Sequence, residues 1–169
     1  MDQRGSAQRI LQKALKECQS NPSQFFSCGL IDDDLFRWRI TIIGQQGTND
    51  EGGMFPCEMI FPPDYPNKPP SLFFRCPMFH PNIRKEDGHV CISILHECKH
   101  DEFNEMEKIE EKWKPVYTVE GIIIAVLLML NEPNQESPEN VEANRVWMTD
   151  KKEFWRNVRR CAANSITYC

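Results

Sequence analysis

His80-Pro81-Asn82 is followed, nine residues after the asparagine, by Cys91 in the run Gly88-His89-Val90-Cys91-Ile92-Ser93-Ile94-Leu95. A cysteine that performs acyl transfer needs a nearby donor to stabilise the oxyanion, and a side-chain amide held by a His-Pro turn can supply one. Each residue alone has a plainer role. Cysteine is among the most buried residue types, so a lone Cys91 between Val90 and Ile92 reads as core. Asn82 alone is a turn residue and His80 a hydrogen-bonded packing residue. Their combination points to chemistry.

Two other chemistries use the same stretch. Cys91, His96, Cys98 and His100 are zinc-ligand types, but their spacing is neither of the common zinc patterns. A Cys-His hydrolase would pair Cys91 with His89 or His96, yet no local signature of such hydrolases surrounds them.

The flanking segments must position this cluster. Over residues 6–20, Ile10, Leu11, Ala14, Leu15 and Cys18 recur at helical spacing, and Asn21-Pro22 stops the pattern. Arg9, Lys13 and Lys16 fall on the opposite face. Extended runs at 25–31, 35–43 and 54–61 are separated by turns at 32–34 and 44–53, and such short connections favour an antiparallel meander. The proline-rich residues 62–70 suit a rigid surface connection into a fourth strand at 71–76. Thr118 suits the N-cap of an apolar, buried helix over 119–131. Pro138 can open a helix to Met148, and Asp150 can cap a last one to about Ser165. The fold class is α+β: one helix, a four-stranded antiparallel meander, then three helices.

Composition fits one compact domain over residues 1–169. The chain is 40% hydrophobic, with a formal charge of -5 and a pI of about 5.4, so it has no basic field for nucleic acid. Eight cysteines at irregular spacing, without a secretory leader pattern, read as reduced thiols of a cytosolic or nuclear protein. The longest apolar run, 122–130, is shorter than the ~20 residues a membrane span needs. Residues 96–112 carry seven acids against three lysines and hold -4 of the total charge. A charge run of this kind is usually a solvated surface. It contains neither glycine nor proline, and Phe103, Met106, Ile109 and Trp113 recur at nearly helical spacing, so a partly helical segment is expected within 103–112.

The arrangement around Cys91 resembles the active site of ubiquitin-conjugating enzymes, and the resemblance extends over nearly the whole chain. The order of elements matches, as does the proline-rich stretch with its Tyr65-Pro66 and Pro69-Pro70 pairs. Ile94-Leu95-His96-Glu97 through Glu110-Glu111-Lys112-Trp113 resembles the acidic insertion of the G-type subgroup. The resemblance implies that Cys91 carries ubiquitin as a thioester, that Asn82 stabilises the oxyanion, and that His80 and Pro81 hold the turn. It implies no cofactor bound by this chain, since ATP and magnesium serve the upstream activating enzyme. Implied partners are ubiquitin, that activating enzyme, a RING-type ligase and protein substrates. Their contacts would fall on Arg9, Lys13 and Lys16, on the Asn67 loop, and on Trp113-Lys114-Pro115-Val116. The subgroup builds degradation-type chains, often with ligases of the endoplasmic reticulum, which adds recruitment to that membrane surface as an expected location.

Two departures from the family pattern stand out. The chain is one residue longer between Asn82 and Cys91, through Arg84-Lys85-Glu86-Asp87, which enlarges a surface turn. Where many members place an acid that positions the attacking lysine, this chain has Ser137, as the G-type subgroup does. An acid of the insertion, or His96, is then left to position the acceptor.

Overall fold

The computed structural model describes residues 2–97, 111–136 and 138–169. Helix α1 spans Gln3–Ser20 and starts earlier than its apolar pattern, because the Asp2 side chain caps it by accepting from Arg4 N–H. Strands β1 (Phe26–Ile31), β2 (Asp34–Ile43), β3 (Met54–Ile60) and β4 (Ser71–Phe74) follow. They pair antiparallel in the order β1-β2-β3-β4, which is the expected meander. Asp32 and Asp33 both have positive φ, 52° and 55°, and form the two-residue turn between β1 and β2.

Alternation along the strands puts Trp38, Ile40, Ile42, Phe55, Cys57, Met59, Leu72 and Phe74 into one buried cluster. Ala7 and Leu11 of α1 join it, as do Ile122, Ile123, Val126 and Leu130 of α2, which spans Val119–Asn131. α2 begins after Thr118, whose hydroxyl accepts from Gly121 N–H at 3.0 Å. Helix α3 (Val141–Thr149) opens at Asn140, not at Pro138. The Asn140 side chain accepts from Ala143 N–H and leaves Pro138 in the connection before it. Helix α4 (Lys151–Ser165) is capped by Asp150, as expected, and Ser165 Oγ accepts from Met54 N–H at 2.8 Å, tying the helix to β3.

β4 ends two residues short of the expected 71–76 because a second segment takes over its edge. Phe74 N–H donates to Gly88 O and Val90 N–H to Leu72 O, each at 2.9 Å, so residues 88–90 run along β4. Gly88 makes that approach feasible. Its φ is +76°, and a Cβ there would sit 2.0 Å from Phe74 O.

The helical segment expected within 103–112 lies outside the described residues except for its last two. The bases of the insertion are joined, since Trp113 N–H donates to His96 O at 3.0 Å. Gly88→Ala meets both the left-handed φ and the clash with backbone, so it should lower stability by about 2 kcal/mol or more. Denaturant unfolding measures this; an unchanged midpoint would mean that residues 88–90 do not depend on that close approach.

Candidate active site

The segment that follows Gly88 delivers Cys91. Val90 is buried and bridges to Ile83, and Cys91 N–H donates to Asn82 O at 2.9 Å. A short 3-10 turn, Ser93–Leu95, then directs the chain away, leaving the thiol half-buried. Cys91 and Asn82 therefore sit on paired backbone, although nine residues separate them in sequence.

His80 is 1% exposed. Burial pushes its imidazole down to about 4, although the carbonyl of Met129 works in the opposite direction. The ring is thus neutral near pH 7, with one donor and one acceptor nitrogen. Nδ1 accepts from Asn82 N–H at 3.0 Å and Nε2 donates to Met129 O at 2.8 Å, near the end of α2. Pro81 O accepts from both Glu139 N–H and Asn140 N–H, at 2.9 and 3.0 Å. The His-Pro-Asn turn is thereby bonded to α2, to the residues before α3 and to Cys91.

The Asn82 amide is less free than the sequence suggests. It is 3% exposed, its Nδ2 donates to Asn134 O at 2.8 Å, and its Oδ1 accepts from Asn134 N–H at 2.9 Å. An amide nitrogen carries two N–H groups, so one remains to serve an oxyanion. Asn82 and Cys91 line a groove of about 560 Å³ with Ile92, Ile94, His96, Glu111, Met129, Glu132 and Glu139.

Glu139 and His89 both approach the sulfur. Sγ lies 3.4 Å from Glu139 Oε1 and 3.8 Å from His89 Nδ1. Burial, and then the Arg84 charge, hold the His89 imidazole below its ordinary range. Residues 84–87, the longer stretch, close on themselves: Gly88 N–H donates to Arg84 O at 2.8 Å and Arg84 pairs with Asp87 at 2.6 Å. His96 reaches the groove. Ser137, Cys98 and His100 lie outside the described residues, and among those described no group of His, Cys, Asp or Glu could hold a metal ion. Sequence reasoning missed Glu139. Its only local mark is its place before Asn140, and nothing in a linear pattern puts it beside residue 91.

A second groove, of about 640 Å³, lies between α1 and residues 115–120. Lys13, Ile10, Pro115 and Val116 line it, and Val116 is 80% exposed. Arg9, Lys16, Asn67 and Lys114 are exposed but do not line it. Trp113 is not a surface contact. It is 4% exposed, its indole N–H donates to Pro66 O at 2.8 Å, and its ring packs at an angle against Tyr65 and edge-on against Tyr117.

The fold agrees with what sequence comparison finds. The family model described as ubiquitin-conjugating enzyme matches residues 10–162, and the chain belongs to that family, in its G-type subgroup. It is 46% identical over 160 residues to ubiquitin-conjugating enzyme E2 7 of Arabidopsis thaliana, covering 94% of this chain and 95% of the relative. It is 43% identical to ubiquitin-conjugating enzyme E2 15 of Schizosaccharomyces pombe, covering 95% and 96%. With ubiquitin-conjugating enzyme E2 G2 of Homo sapiens it shares 39% identity over 163 residues, covering 96% and 98%. The chain is thus a ubiquitin-conjugating enzyme, a class that works with ubiquitin, an activating enzyme and ligases. Among the described residues no helix is long and apolar enough to cross a membrane.

The neutral His80 has a thermodynamic signature with an opposite partner. Because its folded value, about 4, lies below the ordinary 6.5, its stabilisation is complete above pH 6.5 and is lost as pH falls towards 4. Buried Asp50 is pushed up by desolvation from 3.8 to about 6, so its contribution is lost as pH rises through 6. Each is worth about 3 kcal/mol, and over pH 4 to 6 the two slopes oppose each other. Relative to the native chain, Asp50→Asn should gain about 3 kcal/mol across that interval and expose the His80 slope. Urea unfolding at a series of pH values measures it; parallel curves for the two proteins would contradict the assignment.

Proposed function

We propose that Cys91 accepts ubiquitin from the activating enzyme as a thioester and passes it to a lysine of a substrate or of another ubiquitin. The observation that carries this reading is the pairing of Cys91 with Asn82: the thiol lies in an open groove, on backbone bonded to the residue whose amide shares that groove. In the first step the Cys91 thiol loses its proton, Sγ bonds to the ubiquitin carbonyl carbon, and the bond to the activating enzyme's sulfur breaks. In the second, a lysine amine attacks that carbonyl, and the second N–H of Asn82 donates to the oxyanion while the first keeps the Asn134 loop in place. Both steps are acyl exchange and call for no cofactor on this chain; ATP and magnesium are used upstream.

The exposed face of α1 with Arg9, Lys13 and Lys16, the Asn67 turn, and residues 114–116 form the surface offered to the activating enzyme and to a RING-type ligase. Degradation-type chains, a cytoplasmic or nuclear location, and recruitment to the endoplasmic reticulum surface by a ligase belong to the same proposal. His96, which lines the groove, or an acid of the insertion would position the acceptor; Ser137 keeps its expected place in that role by family pattern alone.

Incubation with activating enzyme, ubiquitin and ATP, read on a non-reducing gel, tests the first step. The native chain should charge. Cys91→Ala should lose charging altogether, and Cys91→Ser should give a slower, more stable oxyester because a hydroxyl is the weaker nucleophile. Normal charging of Cys91→Ala would move the thioester elsewhere. A native chain that never charges would favour a non-catalytic scaffold.

Asn82→Ala separates the two steps. It should still charge, while single-turnover discharge to lysine falls by roughly 10²–10³, the cost of removing an oxyanion donor. Equal discharge rates in the two proteins would leave Asn82 with only its bonds to Asn134.

A further inference from the structure

Glu139 stands beside the reacting sulfur without a part in the steps above. Its Oε1 is 3.4 Å from Cys91 Sγ, its side chain is exposed, and its backbone N–H is held by Pro81 O. The adjacent Asn140 donates to the same carbonyl and is buried as the cap of α3, so the backbone at Glu139 is fixed from both sides. The anchor is the turn that also receives Cys91 N–H through Asn82 O. Arg84, a cation nearby, is committed to Asp87 by two bonds, at 2.9 and 2.6 Å.

A carboxylate in this place opposes a thiolate, since like charges ~4 Å apart repel even when partly screened. The opposition ends once sulfur is acylated, because a thioester is neutral. The next group to arrive is a cation, the ammonium of the acceptor lysine. Ile92, Ile94 and Met129 line the same groove and offer apolar contact to the methylene stem of that side chain.

We propose that Glu139 is the acceptor-binding carboxylate of this enzyme: in the thioester state it receives the lysine ammonium and holds it beside the carbonyl. The proposal rests on Cys91 carrying the thioester. The bound ammonium releases one proton to solvent, and the freed lone pair forms the C–N bond. The C–S bond breaks with its electron pair on Sγ. A second nitrogen proton passes by way of solvent to that sulfur, leaving an isopeptide and a thiol. Because a carboxylate favours the charged form of a bound amine, Glu139 contributes to gathering the acceptor more than to deprotonating it. Its effect therefore belongs in KM for the acceptor.

The test uses the full-length enzyme, charged with ubiquitin and then discharged to free lysine over a concentration series, and in parallel to hydroxylamine, a nucleophile uncharged at neutral pH. Glu139→Gln should raise KM for lysine about fivefold at low salt, the size of an exposed ion pair, with kcat and the hydroxylamine rate changed less than about twofold. Glu139→Asp should recover part of the loss. The difference should shrink as salt rises, because the Debye length falls from ~10 Å at 0.1 M to ~3 Å at 1 M. Equal slowing toward lysine and hydroxylamine, an unchanged lysine KM at every salt concentration, or a Glu139→Gln protein that fails to charge would each assign Glu139 to the shape of the site and overturn the proposal. Failure of the native chain to charge shows before any acceptor is added and removes the thioester reading itself, together with the proposal built on it.

Discussion

One buried, neutral imidazole holds the catalytic region together. His80 is surrounded by protein, with Phe154 of α4 against its ring, and desolvation keeps it uncharged. A neutral ring has one donor and one acceptor, and here both are used: the donor on Met129 O at the end of α2, the acceptor on Asn82 N–H. A protonated ring would turn its acceptor into a second donor aimed at an N–H group. The turn would lose its bond and bury a charge at once.

One half of the groove's frame hangs from that turn. Asn82 O fixes Cys91, the Asn82 side chain fixes Asn134, and Pro81 O fixes Glu139 and Asn140. The sheet edge contributes the other half of the frame, with residues 88–90 pressed against β4 where only glycine fits at position 88. Backbone bonds set the positions, and exposed side chains supply the charge. This division leaves the sulfur accessible while the atoms that aim it are buried.

Much of the architecture was legible in the sequence because it is encoded locally. Thr118 and Asp150 cap their helices where hydroxyl and carboxylate chemistry says they should, and alternation along residues 37–42 marks the buried face of β2. His80, Asn82 and Cys91 were legible as a motif. What escaped depends on contacts between distant segments. Asn140 overrode Pro138 as the start of α3 because a side-chain cap can satisfy an N–H and proline cannot signal one. Trp113 looked like a surface anchor but is drawn inward by Pro66 O. Glu139 comes to Cys91 across 48 residues of sequence, and the second bond of Asn82 across 52. No linear spacing encodes either.

The state of the His80 ring is the most direct test of this account. Nitrogen-resolved NMR of the imidazole, followed from about pH 8 down to 5, reports both its charge and which nitrogen carries the proton. The structure requires a neutral ring protonated on Nε2 throughout that range. Titration near the ordinary 6.5, or a proton resident on Nδ1, would contradict it and take away the bond on which the position of Asn82 depends.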